Sequence, residues 1–183
     1  SEKSLWKFIL HQTRWRSPLL VMAEAHHLKN PGTMLARQLQ SPESNQDLRT
    51  GDGAMARAVD RMLFLTATPF QLGHRELVQV LRRFGDVRWD QEKLGDPGGL
   101  ETRLTELDTR LTESQRTAIT LQRSWSRLRP EDIAEDVEQW WRDLVITPRE
   151  TLSGHQRSVL DAFEAALGSR VKAEESLRPW VVR

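Results

Sequence analysis

Two short stretches carry side chains that could act together on a phosphate ester. In Leu20-Val21-Met22-Ala23-Glu24-Ala25-His26 an apolar run ends on a carboxylate with an imidazole close behind it. In Leu63-Phe64-Leu65-Thr66-Ala67-Thr68-Pro69-Phe70-Gln71 a second apolar run ends on two hydroxyls, with an amide just beyond. A carboxylate at a strand end can orient and deprotonate a water, and open α/β sheets place their sites beyond the carboxyl ends of their strands. Hydroxyls and an amide at a second strand end could relay hydrogen bonds to such a site. Each stretch alone also reads as structure: a buried strand before a polar turn, and a Thr-rich strand cap.

Other residues invite chemistry with less support. His26-His27 lacks the helical His-Glu-x-x-His spacing and any acid-rich company, so no histidine-held metal is expected. Trp140-Trp141 could stack on bases, although one ring in the core and the other over a seam is the commoner arrangement. Arg82, Arg83 and Arg88 form one basic cluster, and Arg123, Arg127 and Arg129 another. Both could meet phosphates, although a solvated helix face is the commoner arrangement for each.

The elements that must position these residues follow from hydrophobic spacing. Residues 2–13 read as a short helix with Leu5, Phe8 and Ile9 on one side. Leu19-Leu20-Val21-Met22 after Pro18, and Met62-Leu63-Phe64-Leu65, are short all-apolar runs of the kind that form strands buried on both faces. Residues 31–40 read as a helix opened by Pro31, and 41–53 as a polar loop. A helix over 73–84 turns Leu77, Val80, Leu81 and Phe84 inward. Strand alternating with helix is the pattern of a parallel α/β sheet.

The second half is different. Leu100, Leu104, Leu107, Leu111, Ser114, Ala118, Leu121, Trp125 and Leu128 step by four and three, a heptad seam thinned at Ser114 and Ala118. Pro130 stops that helix and can open the next, over 131–144, with Ile133, Val137, Trp140 and Leu144 on one face. A last helix over 154–168 buries Val159, Leu160, Phe163 and Leu167. The expected fold is therefore α/β, with a parallel sheet over 1–89, a helical protrusion over 90–176 and a closing segment at 177–183.

Composition narrows the partners. The 183 residues carry 27 basic and 26 acidic side chains for a net charge of +1, so any contact with nucleic acid must come from a local patch. All but five of the basic residues are Arg, whose planar fork suits phosphates and carboxylates, although a GC-rich genome accounts for the bias more simply. The absence of Cys removes disulfides, thiolate catalysis and cysteine-held metals. No apolar run approaches the roughly 18 residues of a membrane span. The first residues lack the layout of a signal peptide. The chain opens on Ser1 rather than Met, as a piece cut from a longer protein would.

Glu24-Ala25-His26 and Leu65-Thr66-Ala67-Thr68-Pro69, in that order, resemble motifs II and III of the superfamily 2 helicase-like ATPases. The extensions His27-Leu28-Lys29-Asn30 and Phe70-Gln71-Leu72-Gly73 resemble the Swi/Snf-type branch, in particular its bacterial RNA-polymerase-associated translocases. Leu177-Arg178-Pro179-Trp180-Val181-Val182-Arg183 resembles the segment that closes the first motor lobe there. The resemblance is strong over 19–84 and weak over 90–176.

It implies part of a RecA-like lobe of P-loop NTPase type, from a bacterial cytoplasmic, nucleoid-associated motor. Such a motor uses ATP and Mg and moves on double-stranded nucleic acid, DNA above all, with a protein partner conceivable for the protrusion. Glu24 then matches the residue that activates the attacking water, and His26 the link between the two motifs. Thr66, Thr68 and Gln71 match the nucleotide-sensing relay, and Glu24 and Gln71 would face the nucleotide.

Two departures cut against activity in this chain. Ala23 stands where the family has the Mg-binding Asp, so no metal ligand is expected there. No Gly-x-x-x-x-Gly-Lys-Ser/Thr loop occurs in the sequence, so ATP should not bind tightly. The alternative is a decayed, non-catalytic lobe that binds protein or nucleic acid.

Overall fold

The computed structural model describes residues 5, 8–10, 12, 13, 15–25, 28, 37, 39, 55, 57–65, 73–88 and 97–181. Among these the architecture is mixed α/β and mostly helical, with one two-stranded parallel sheet. The chain divides into two compact units, Ser1–Asp108 and Thr109–Arg183.

The first unit is built on strands β1 (Leu20–Ala23) and β2 (Met62–Leu65). They pair in parallel from Leu20↔Met62 to Ala23↔Leu65, and an isolated bridge between Ser17 and Val59 leads into them. Helix α1 (His74–Arg82) follows, then a 3-10 turn over Arg83–Asp86. Met22, Ala25, Leu28, Leu39 and Val80 form the core, with Leu20, Met55, Met62 and Phe64 packed against it. Phe64 also stacks on Phe84 with ring centroids 4.7 Å apart.

The strands differ from the expectation of burial on both faces. Leu20 and Met22 turn toward the core, while Val21 is 51% and Leu65 48% exposed. The side-chain period of a strand is two, so a sheet covered on one face leaves alternate residues in solvent. Leu5, Phe8 and Ile9 lie in helical backbone as expected, yet all three are exposed. In α1, Val80 and Leu81 are buried as read, Leu77 only half so, and Val78 is buried as well; Phe84, read as the end of that helix, is half-buried in the 3-10 turn. Leu39 is helical and fully buried; the loop expected at 41–53 lies outside the described residues.

Helix α2 (Pro97–Trp125) begins in the first unit and continues into the second. Its heptad seam is buried at Leu104 and Leu107, but Ala118 and Trp125 are exposed. Polar positions replace them. Thr117 Oγ1 lies 2.6 Å from Ser169 Oγ, and Ser124 Oγ 3.2 Å from Ser158 Oγ. The later residue of α2 meets the earlier residue of α4 (Gly154–Leu177), so these two helices run antiparallel.

Between them Pro130–Asp132 forms a 3-10 turn and helix α3 spans Val137–Ile146. The single helix read over 131–144 is thus divided, and two aspartates account for the division. Asp132 folds back to accept from the Arg129 amide at 3.1 Å, closing the turn. The Asp136 carboxylate accepts from the Gln139 amide at 3.0 Å, capping a new helix. Ser153 and Gln156 form a capping box that opens α4. That helix runs well past residue 168, and Leu167, expected inside, is 51% exposed; Ala162 and Ala173 are buried instead. The second core joins Trp140, Leu144, Leu152 and Leu160, with Leu128, Ile133 and Trp141 against them.

Candidate functional site at the strand ends

Register decides the geometry here. Because Ala23 pairs with Leu65, β1 and β2 finish side by side at the same rim of the sheet. Adjacent strands lie about 4.8 Å apart. Glu24 is the next residue after Ala23, and Thr66 the next after Leu65.

Glu24 adopts φ 55°, in the left-handed region that side chains with a Cβ rarely occupy. Ala25 is 1% and Leu28 0% exposed, so the chain must turn sharply back into the core directly after the strand. The turn falls on Glu24 and leaves its side chain on the solvent side of the rim. A non-glycine residue in that region costs on the order of 1–2 kcal/mol, which the buried residues behind it offset.

Ala23 is exposed at the end of β1 and offers no ligand atom. His26, Thr66, Thr68 and Gln71 lie outside the described residues, as does His27. Among the described residues no group of His, Asp and Glu is clustered to hold a metal ion. Of the expected site, therefore, the structure brings together the two strand ends and the Glu24 backbone.

The first basic cluster is taken up by carboxylates. Arg82 pairs with Glu101 at 2.7 Å and Arg88 with Asp60 at 2.7 Å. Arg83 lies 3.4 Å from Asp86, whose side chain is fully buried. The Arg88 amide also donates to the Val59 carbonyl at 2.8 Å, tying residues after α1 to the bridge that precedes β2. These arginines brace the first unit. In the second cluster Arg129 approaches Glu131 only at 3.7 Å, and no carboxylate of the described residues pairs with Arg123 or Arg127.

The tryptophans are packing residues. Trp140 and Trp141 lie 6.1 Å apart, Trp125 is about equally close to both, and Trp141 meets Phe163 edge-on at 4.9 Å. Trp140 is 8% exposed, and its Nε1 has no hydrogen-bond partner among the described residues. Its faces are occupied by protein, which leaves no room for a stacked base.

One polar hub escaped the sequence reading. The Asp132 carboxylate accepts from Ser153 Oγ at 3.0 Å and lies 3.2 Å from His155 Nδ1, while its carbonyl accepts from Gln156 Nε2 at 2.9 Å. The Arg129 amide, with the Ser153 and His155 side chains, holds this carboxyl below the usual carboxylate range against an opposing desolvation. Ser153-Gly154-His155-Gln156 carries the Ser-x-x-Gln signature of a capping box, so half of the hub was readable. A Ser-Asp-His contact ordered in this way caps a helix; Ser153 does not face the histidine as a nucleophile would. Arg149 bonds to both Asp161 and Glu164, which raises its already high pKa.

Compared with family models, curated proteins and solved structures, the chain matches none. Its functional reading therefore rests on its own residues.

Proposed function

We propose that the chain is part of the first RecA-like lobe of an ATP-driven, Swi/Snf-type nucleic-acid motor, carrying the water-activating and relay elements of the ATP site. The observation that carries this reading is the parallel register Ala23↔Leu65. It ends both strands at one sheet rim, with Glu24 next after β1, which supports a relay between that carboxylate and the hydroxyls that follow β2 in the sequence. The uncovered sheet face gives secondary support. Parallel sheets are ordinarily covered on both sides, so exposed Val21 and Leu65 fit a sheet completed by further chain.

In such a lobe Glu24 would orient the attacking water, and His26 would join it to Thr66, Thr68 and Gln71. ATP and Mg would be held mainly by elements this sequence does not contain. Ala23 supports the second reading, a non-catalytic lobe acting as a binding module, because an alanine cannot coordinate the metal that neutralises phosphate charge.

Ala23→Asp in the longer motor protein separates the two readings. With Asp restored, duplex-stimulated ATP hydrolysis should rise on the order of 100-fold or more, the usual scale for recovering such electrostatic stabilisation. Equal, near-zero rates for the Ala and Asp forms would favour the binding module.

A further inference from the structure

Arg116, Arg123 and Arg127 form a row along α2 and the turn that continues it. At 100° per residue Arg116 and Arg123 fall within about 20° of arc and lie about 10 Å apart along the helix, and Arg127 follows in the turn directly after it. All three side chains are exposed. None has a side-chain partner among the described residues. The contrast within the same unit is sharp. Arg142 has Glu138 at 3.8 Å, Arg170 has Glu174 at 2.8 Å, and Arg149 has two acids. Along α2 no acid neutralises the row, although Glu113 lies one turn before Arg116.

We infer that this row is a docking surface for the phosphate backbone of nucleic acid. Guanidinium forks match phosphate oxygens bidentately and are less hydrated than ammonium groups. A straight row of like charges fits a partner whose charge repeats along a line. Its flanks, Thr112, Thr120 and Ser126, are hydroxyl-bearing, and Ile119 is the one large apolar neighbour. A membrane-bound helix needs a broad apolar face beside its cations, and a protein interface needs buried anchors; this face has neither. With a net charge of +1, the chain as a whole supplies little attraction of its own. The inference shares the nucleic-acid partner of the proposed motor but involves neither the strand ends nor a nucleotide.

The test uses this chain without ATP. Anisotropy of a labelled random-sequence duplex of about 24 base pairs is followed from about 50 to 200 mM NaCl, where each phosphate contact adds about 0.9 to the salt slope. Arg123→Gln should lower that slope by about 1, and the triple Gln variant by about 2 to 3 with most of the affinity lost. A triple Lys variant should keep the slope, because the charge is kept. Arg142→Gln with Arg170→Gln should leave binding nearly unchanged. The inference is overturned if Arg123→Gln keeps the full slope or the paired-arginine control loses as much as the row. It is equally overturned if the unsubstituted chain binds anionic vesicles or an acidic peptide but not the duplex. Because no nucleotide is present, failure here leaves the ATPase reading standing, and failure of the Ala23→Asp experiment leaves this one.

Discussion

Glu24 combines a strained backbone with a position at the end of a strand. Its left-handed backbone stands directly before Ala25 and near Leu28, both sunk in the core. Glu24→Gly relieves about 1 kcal/mol of backbone strain while removing the carboxylate and its interaction, so it is expected to be the more stable of two substitutions. Glu24→Ile should cost about 1–2 kcal/mol, since a β-branched side chain tolerates that conformation least. Urea titration of both variants checks the ordering. A Gly variant as unstable as the Ile variant would mean that the side chain itself supports the turn. The glutamate was legible from sequence as a strand-end carboxylate; its backbone conformation was not, because that depends on how deeply its successors are buried.

At the scale of elements, polar residues decide where the helices begin and which faces they show. Asp132 and Asp136 divide what apolar spacing reads as a single helix, and Asp132 then fastens the turn to the start of α4. Its depressed pKa has a consequence with a definite sign. A carboxyl whose folded value lies below its ordinary one, about 3.9, stabilises the fold above that value and loses the contribution as pH falls through the lower, folded value. The second unit should therefore lose stability progressively below about pH 4. Asp132→Asn should be less stable at neutral pH and show a shallower loss on acidification. Thermal melts followed by circular dichroism between neutral pH and pH 2.5 would check both, and parallel curves for the two proteins would show that other carboxyls carry the acid response. The seam of α2 makes a related point. Period alone selects Ala118 and Trp125, whereas Thr117 and Ser124 face α4 because their hydroxyls pair with Ser169 and Ser158.

At the scale of the whole molecule, two cores stand in two units, one around Met22, Leu28 and Val80 and the other around Trp140, Leu144 and Leu160. Trp140→Ala should cost the second about 3–5 kcal/mol, the usual range for a large aromatic removed from a core. Its unpaired indole nitrogen lowers the loss somewhat, because a buried donor without an acceptor is itself unfavourable. Hydrogen exchange should show the loss in α3 and α4, with amide protection at Met22 and Val80 retained. Equal loss in both places would mean that the units unfold as one. No described helix is long and apolar enough to cross a membrane.

The sequence by itself determined the parallel pair of short strands, the switch to helices in the second half, the proline after the long helix and the strand-end position of Glu24. These follow from local rules: apolar runs, three-and-four spacing, and the absence of an amide hydrogen on proline. Only the tertiary structure decided that the sheet is covered on one face, that Arg82, Arg83 and Arg88 are consumed by Glu101, Asp86 and Asp60, and that Arg116 joins Arg123 and Arg127 in an unpaired row. Whether a charge is spent or free depends on partners distant in the chain, and spacing along one segment carries no record of them.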